Sequence, residues 1–346
     1  MVERIELGEF LDFEQPTKYL VKSTEYDNSY DIPVLTAGQS LILGYTNETE
    51  GIYNASKENP TIIFDDFTTS FHWIDFKFKV KSSAMKMLRP KKNVNFRYIY
   101  FAMMGINYVP GEHQRHWISK YSHFRIPIPS VAEQNRIVTI LDTFTASIDN
   151  LKEQIELRRK QFEHYRNKLL DLEGKEGVEM KKLKDACEIR RGIRVVKKQL
   201  KDNALYPVFQ NSIAPMGYYD QYNRDGDMPY IICAGSSSGS VGYCYTPFWA
   251  ADDCFTIEGR LVRRYIYYAL KKNNNNLFNL VRKGSMPRLP HEAIDNMVIP
   301  VPSLTEQQRI VVILDKFEAS IKNLEAQLDL RQKQYEYYRN KLLTFE

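Results

Sequence analysis

The sequence predicts an α+β chain: two mostly-β heads separated by an antiparallel pair of long coiled-coil helices, related by a pseudo-two-fold operation. Three observations predict it. A 48-residue segment occurs twice without gaps, Ile126 to Glu173 and Ile299 to Glu346, at a constant offset of 173 with 31 identical positions. Each copy carries a 3.5-residue apolar period, the mark of a coiled-coil seam. The stretches ahead of the copies barely resemble one another, yet both read as short strands broken by Gly, Asn, Asp and Pro. In chain order the divisions are a first head (1–129), a first long helix (130–173), a second head (174–302) and a second long helix (303–346).

The heads share a faint layout. Ile32-Pro33-Val34-Leu35 corresponds to Tyr206-Pro207-Val208-Phe209, Gly44-Tyr45 to Gly217-Tyr218, and Pro60-Thr61-Ile62-Ile63 to Pro229-Tyr230-Ile231-Ile232. A short helix is expected at Phe96 to Met104, matched by Arg264 to Leu270. One fold carrying two specificities explains such a pairing.

Each repeat opens on a proline-bounded strand end, Ile126-Pro-Ile-Pro129 or Ile299-Pro-Val-Pro302, followed by Ser130 to Glu133 or Ser303 to Glu306. In such a box the serine hydroxyl accepts a backbone N–H three residues on while the glutamate reaches back, so a helix starts there. Apolar residues then recur at Ile137, Leu141, Phe144, Ile148, Leu151 and Ile155, and after Arg158 at Phe162, Tyr165, Leu169 and Leu172. The second copy gives Ile310, Leu314, Phe317, Ile321, Leu324 and Leu328, then Arg331, Tyr335, Tyr338, Leu342 and Phe345. Gly174 stands where a C′ glycine belongs. The charged seam positions Arg158 and Arg331 admit two readings: a polar layer that fixes register, or a packed stem with a head that snorkels to water. Because the second head begins where the first helix ends, the helices are expected to pack antiparallel with a head at each end. A helix of ~43 residues is about 65 Å long, room for one to two turns of B-DNA.

Composition narrows the class. The chain has 346 residues, 43% hydrophobic and 13% aromatic, which places it among globular proteins. No apolar run is long enough for a membrane span, and MVERIELGEF is charged where a signal peptide needs an apolar core, so no membrane partner and a cytoplasmic location are expected. Cys187, Cys233, Cys244 and Cys254 show no metal-ligand spacing and read as reduced thiols; no metal site is expected. The net charge of +5 suits nucleic acid without proving it.

The same offset pairs Gly111-Glu-His-Gln-Arg115 with Gly284-Ser-Met-Pro-Arg288 just ahead of the two long helices. His113, Gln114, Arg115 and Arg288 are therefore candidates for reading base edges, arginine being the usual bidentate partner of guanine. A solvated turn with a structural arginine is the plainer reading. Basic clusters suit phosphate contact, which needs only charge within reach. They are Lys86, Arg89, Lys91, Lys92 and Arg97 in the first head, and Arg190, Arg191, Arg194, Lys197, Lys198, Arg260, Arg263, Arg264, Arg282 and Lys283 in the second.

No catalytic residue is expected. Asp227-Met-Pro-Tyr230 resembles a methyltransferase tetrapeptide but lacks its second proline and an upstream glycine-rich cofactor loop. Gly235-Ser-Ser-Ser-Gly-Ser-Val-Gly242 lacks the Lys-Ser/Thr of a phosphate loop, and reads as a tight connection that lets backbone approach something closely, DNA included.

Two variable heads, each ending in I-P-x-P-S-x-x-E-Q-x-R-I-V-x-I-L-D and a long helix, resemble the DNA specificity subunit of Type I restriction-modification systems over the whole chain. The stretch Tyr230 to Thr256 is similar to that family's strand-Gly-loop-strand region, where the first head departs with Asp65-Asp-Phe-Thr-Thr-Ser70. The resemblance implies that the heads are target recognition domains, each binding one half of a split double-stranded DNA sequence. It implies two modification (methyltransferase) subunits and two ATP-dependent restriction subunits as partners, with S-adenosylmethionine, ATP and Mg²⁺ on those partners and no cofactor here. Ile140, Leu157 and Leu170, with Ile313, Leu330 and Leu343, are the apolar surface that a methyltransferase subunit would cover. The alternative is a coiled-coil adaptor whose heads bind proteins.

Overall fold

A computed structural model describes residues 2–36, 41–91, 94–111 and 114–345; His113 and Lys92 lie outside them. The chain forms two compact units, Met1–Asn150 with Leu328–Glu346, and Leu151–Gln327. Each holds one head and a part of both long helices, Val131–Leu169 and Leu304–Leu343. Among the described residues no helix is long and apolar enough to cross a membrane.

In the first unit, strand Glu3–Glu6 pairs antiparallel with Arg125–Ile128, the strand that leads into the first long helix. Pro127 sits in this two-stranded ribbon, where its missing N–H costs no central ladder bond. The head holds an antiparallel sheet in the order Leu11–Glu14, Met85–Pro90, Thr61–Asp65, Phe71–Ile74. A smaller sheet sets Ile32–Leu35 between Ile42–Thr46, antiparallel, and Lys79–Val80, parallel. Helix Phe96–Met103 starts where the Asn95 side chain accepts the Tyr98 N–H at 3.1 Å, satisfying one of the donors a helix start leaves unpaired. Its buried Tyr98, Phe101 and Ala102 repeat at helical spacing and enter one core with Ile62, Phe64 and Leu88. Ile137 and Leu141 of the first long helix complete that core, and Tyr335, Leu342 and Leu343 of the second pack against it.

The second unit repeats the scheme. Glu179–Lys182 pairs with Val298–Val301; the larger sheet runs Cys187–Arg191, Cys254–Gly259, Met228–Ile232, Val241–Cys244. Tyr206–Phe209 lies between Tyr218–Tyr219, antiparallel, and Trp249–Ala250, parallel. Helix Arg263–Lys272 takes the place of Phe96–Met103, and Tyr265 and Tyr268 pack with Leu170, Leu172, Ile310, Val311 and Leu314. The four cysteines are free and buried.

The common layout expected of the heads is present, with one correction of register. Asp66 donates its N–H to the Ala84 carbonyl at 3.0 Å as Cys233 does to Asp253 at 2.8 Å, so Thr61 corresponds to Met228 and not to Tyr230. The slip is two residues, which keeps every side chain on its face and explains why apolar alternation could not reveal it.

Within each unit the long helices run antiparallel. Phe144 stacks on Tyr338 in the first, and Tyr165 on Phe317 in the second, both at 5.3 Å and 26°. These are one contact with the two repeats exchanged. The Arg331 guanidinium lies 5.7 Å from the Phe144 ring and that of Arg158 5.9 Å from the Phe317 ring. The seam arginines thus rest on an aromatic face of the opposite helix, a cation–π contact that neither sequence reading specified. Along the seam Ile148 and Ile155 are buried, while Leu151, Ile321, Leu324 and Leu328 are half-buried.

Three expectations about the helices are corrected. The serines cap as expected, Ser130 Oγ accepting from Glu133 and Ser303 Oγ from Glu306 at 3.3 Å, but the glutamates do not reach back. Each instead grips the arginine one turn on, Arg136 or Arg309, through two bonds of 2.7 to 2.8 Å. Gly174 is not a C′ residue: the first helix ends at Leu169, and Gly174 (φ +73°) sits in a turn closed by the Lys175 N–H on the Leu172 carbonyl. Leu170 and Leu343 are not open surface either; Leu170 is buried in the second unit's core, and Leu343 packs on the first head. Leu157 and Leu330 remain exposed at 51% and 58%, with Ile140 and Ile313 half-buried.

One buried glutamine per repeat fastens each head to its long helix. Gln134 Nε2 donates to the Pro129 carbonyl at 2.9 Å and its Oε1 accepts the Asn95 N–H at 3.1 Å. Gln307 does the same with Pro302 and Val262, at 2.9 Å each. Removing one leaves a buried donor and acceptor unsatisfied, so Gln134→Ala should cost roughly 2–4 kcal/mol locally. In hydrogen exchange the Asn95 amide should then exchange faster while Val262 is unchanged.

Candidate nucleic-acid interface

The paired arginines occupy the same backbone position. His116 donates its N–H to the Asp66 carbonyl and Leu289 to that of Cys233, each at 2.8 Å, and these four residues are equivalent in the two heads. Arg115 and Arg288 precede those donors, so both stand beyond the end of the central strand of the larger sheet, and both are exposed. Gln114 is also exposed.

The second head builds more at this point. Arg282 and Arg288 exchange N–H···O bonds of 2.9 and 3.1 Å, closing a hairpin, and Gly235 donates to the Pro287 carbonyl at 2.9 Å. The Arg288 guanidinium lies 3.3 Å from the Asp253 carboxylate; the arginine side chain is 54% exposed and the aspartate 13%. Nearby, Arg191 Nε donates to the Asp252 carbonyl at 2.8 Å and Gln210 Nε2 lies 3.4 Å from the Asp252 carboxylate. Gln210, Asn211 and Ser212 line a cleft of about 510 Å³ with Arg194 and Lys197. Amides and guanidinia at a sheet end suit base edges; ammonium groups at the rim suit phosphates. Beneath them burial, reinforced by Asp253, pushes the Cys233 thiol up to about 12 and keeps it neutral.

The first head differs in the same place. Ala84 stands where the second head has Asp253, and the charge pair is Lys86 with Asp66 at 3.0 Å, both almost fully buried. Asp66 Oδ1 also accepts the Trp117 N–H at 2.8 Å. Sequence reading missed Asp253, Gln210 and Asn211, because they lie in head sequence that does not repeat.

Several phosphate candidates are corrected. Lys86 is buried against Asp66, and Arg97 and Arg264 are spent on their long helices as described below. Arg89 donates to the Tyr53 hydroxyl and pairs with Glu14 at 3.0 Å; Arg190 is held by Glu188 and Glu258. Lys91 reaches the Gly8 carbonyl at 3.0 Å, and Arg263 the Gly226 carbonyl at 3.2 Å. Among the described residues Arg194, Lys197, Lys198, Arg282 and Lys283 are exposed and form no ion pair. The glycine loop also changes meaning: a Cβ on Gly242 would lie 2.2 Å from the Tyr230 ring, and one on Gly239 3.0 Å from Phe278, so the close approaches are internal.

The head–helix joint uses an arginine in an aromatic cradle. Arg97 sits over Trp73, Tyr100 and Phe101 and bonds Asp142 at 2.8 Å. Arg264 sits over Tyr243, Tyr267 and Tyr268 and bonds both Asp315 and Glu318. Burial alone would lower the Arg264 pKa; the Glu318 and Asp315 carboxylates outweigh it and hold the guanidinium charged. The Tyr268 hydroxyl adds a bond to Asp315 that Phe101 cannot make. Arg264→Ala strands partly buried carboxylates and should destabilise the second unit by roughly 2–4 kcal/mol in denaturant unfolding, more than Arg97→Ala destabilises the first.

The family model described as Type I restriction modification DNA specificity domain matches residues 1–158 and 175–330. The chain is 37% identical to the Type I restriction enzyme EcoR124I/EcoR124II specificity subunit of Escherichia coli, over 99% of this chain and 94% of that one. It is 28% identical to a putative Type I restriction enzyme specificity subunit of Haemophilus influenzae, over 89% and 86%. Among solved structures, the S subunit of a Type I restriction-modification system from M. genitalium superposes with a TM-score of 0.74 at 16% identity, covering 100% of this chain and 97% of that one.

Proposed function

We propose, because this chain belongs to the Type I restriction-modification DNA specificity family, that each of its heads reads one half of a split, asymmetric duplex sequence. It is the specificity subunit of such a system. The observation that carries the two-reader proposal is one backbone frame presenting Arg115 in one head and Arg288 in the other, amid different neighbours. A like frame with unlike side chains reads unlike bases.

Phosphate contact falls to the exposed, unpaired Arg194, Lys197, Lys198, Arg282 and Lys283, with Arg191 beside them. The two long helices act as the ruler between half-sites. Methyl transfer and cleavage belong to modification and restriction subunits, two of each, which carry S-adenosylmethionine, ATP and Mg²⁺. The exposed Leu157 and Leu330, with Ile140 and Ile313, form the seat for the modification subunits. The complex works in the cytoplasm. An adaptor whose heads bind proteins is not favoured, since the relatives are named specificity subunits.

Selection from a random duplex pool, with the methyltransferase subunit present, should enrich a two-part motif with an unspecified spacer; a pool with no such motif defeats the proposal. Inserting one heptad at equivalent points in both helices adds about 10 Å and should lengthen the spacer by about 3 base pairs. An unchanged spacer would refute the ruler. Leu157→Glu with Leu330→Glu should abolish co-purification of the methyltransferase subunit while thermal unfolding of the chain stays within a few degrees of wild type.

A further inference from the structure

We propose that Asp253 is a positioning residue that presents the Arg288 guanidinium to a guanine in the half-site read by the second head. The inference rests on the reading of Arg288 as a base contact and adds how that contact is made specific.

An exposed arginine on a flexible stem samples many rotamers, and ordering it at a base edge costs side-chain entropy. Asp253 removes much of that cost. Its backbone is fixed just beyond the end of the strand Met228–Ile232, where its carbonyl accepts the Cys233 N–H at 2.8 Å, and its carboxylate is mostly buried. The Arg288 backbone is fixed from two sides, by the paired bonds with Arg282 and by the Leu289 N–H on the Cys233 carbonyl. Both ends of the pair are therefore anchored. The 3.3 Å contact engages one Nη2 of a group with five N–H donors. The second Nη2 hydrogen remains, parallel to a hydrogen of Nη1 or to that of Nε, and completes a fork for an acceptor pair such as guanine O6 and N7. A lysine in place of Arg288 would keep the charge without the planar fork.

The first head offers a built-in contrast. It has Ala84 where Asp253 stands, so among the described residues no carboxylate takes that place beside Arg115. The device belongs to one half-site only.

The test is methylation-motif profiling with the full chain in complex with its methyltransferase subunit, scoring discrimination at each position of both half-sites. Arg288→Ala should reduce discrimination at one guanine of one half-site by roughly 5- to 150-fold, with the other half-site unchanged. Arg288→Lys should relax the same position while overall affinity holds. Asp253→Asn, which keeps shape and removes charge, should relax that position and no other, and combined with Arg288→Ala should add nothing further. If Arg288→Ala relaxes the position but Asp253→Asn does not, Asp253 merely closes the hairpin and the proposal is wrong. If Arg288→Ala weakens all sequences alike and lowers the salt slope by about 1, Arg288 contacts phosphate and the underlying reading fails instead. No change in either variant overturns both. The intact other half-site reports that each variant is folded and assembled.

Discussion

The buried glutamine at the start of each long helix is the interaction on which the architecture depends. Gln134 and Gln307 each tie three things at one point: the proline carbonyl that ends the ribbon strand, the long helix itself, and the N-terminus of the head's own helix. A donor and an acceptor committed in opposite directions leave little angular freedom. The arginine joint about two turns further on supplies a second fixed point, Arg97 on Asp142 and Arg264 on Asp315. Two fixed points on a rigid helix define how a head is held, which a patch of apolar contact alone does not do.

The two joints are alike in plan and unequal in strength. Trp73, Tyr100 and Phe101 cradle one arginine; Tyr243, Tyr267 and Tyr268 cradle the other. Exchanging phenylalanine for tyrosine at one place, and threonine for glutamate one turn along the helix, adds hydroxyl and carboxylate partners on the second side only. The sheet ends diverge in the same spirit: a buried Lys86–Asp66 pair in one head, an exposed Arg288 on a mostly buried Asp253 in the other. Shared geometry is kept by backbone bonds, while side chains at the sheet end vary.

Most of the fold was legible in the sequence because it is written twice. The strand-to-helix entry, the serine caps, the seam and the antiparallel order follow from period and offset, and the seam stacks Phe144–Tyr338 and Tyr165–Phe317 are residues that the seam identified. Misreadings arose where two chemistries share a residue type. Glu133 and Glu306 could turn back or forward, and an arginine one turn on decided for forward. Charge counting could not separate Lys86 or Arg264, neutralised by buried or half-buried carboxylates, from Lys197 and Lys198 on open surface, because the partners are distant in sequence. The candidate site was legible at Arg115 and Arg288, where the offset reaches into the heads, and at the open basic residues Arg194, Lys197, Lys198, Arg282 and Lys283; Asp253 and Gln210 come from stretches with no second copy to flag them. Gln134 and Asp142 could have been found, since both recur unchanged at 307 and 315.

The division of labour at the joint has an evolutionary consequence. The helix side of each joint, Gln134 with Asp142 or Gln307 with Asp315, lies in the repeat, whereas the head contributes little more than a backbone N–H, one arginine and its rings. Any head that brings those few groups can be seated. Recombination between the repeats, identical at 31 of 48 positions, would therefore deliver a foreign head to a ready socket, so a lineage can exchange one head in one crossover without redesigning the frame that carries it.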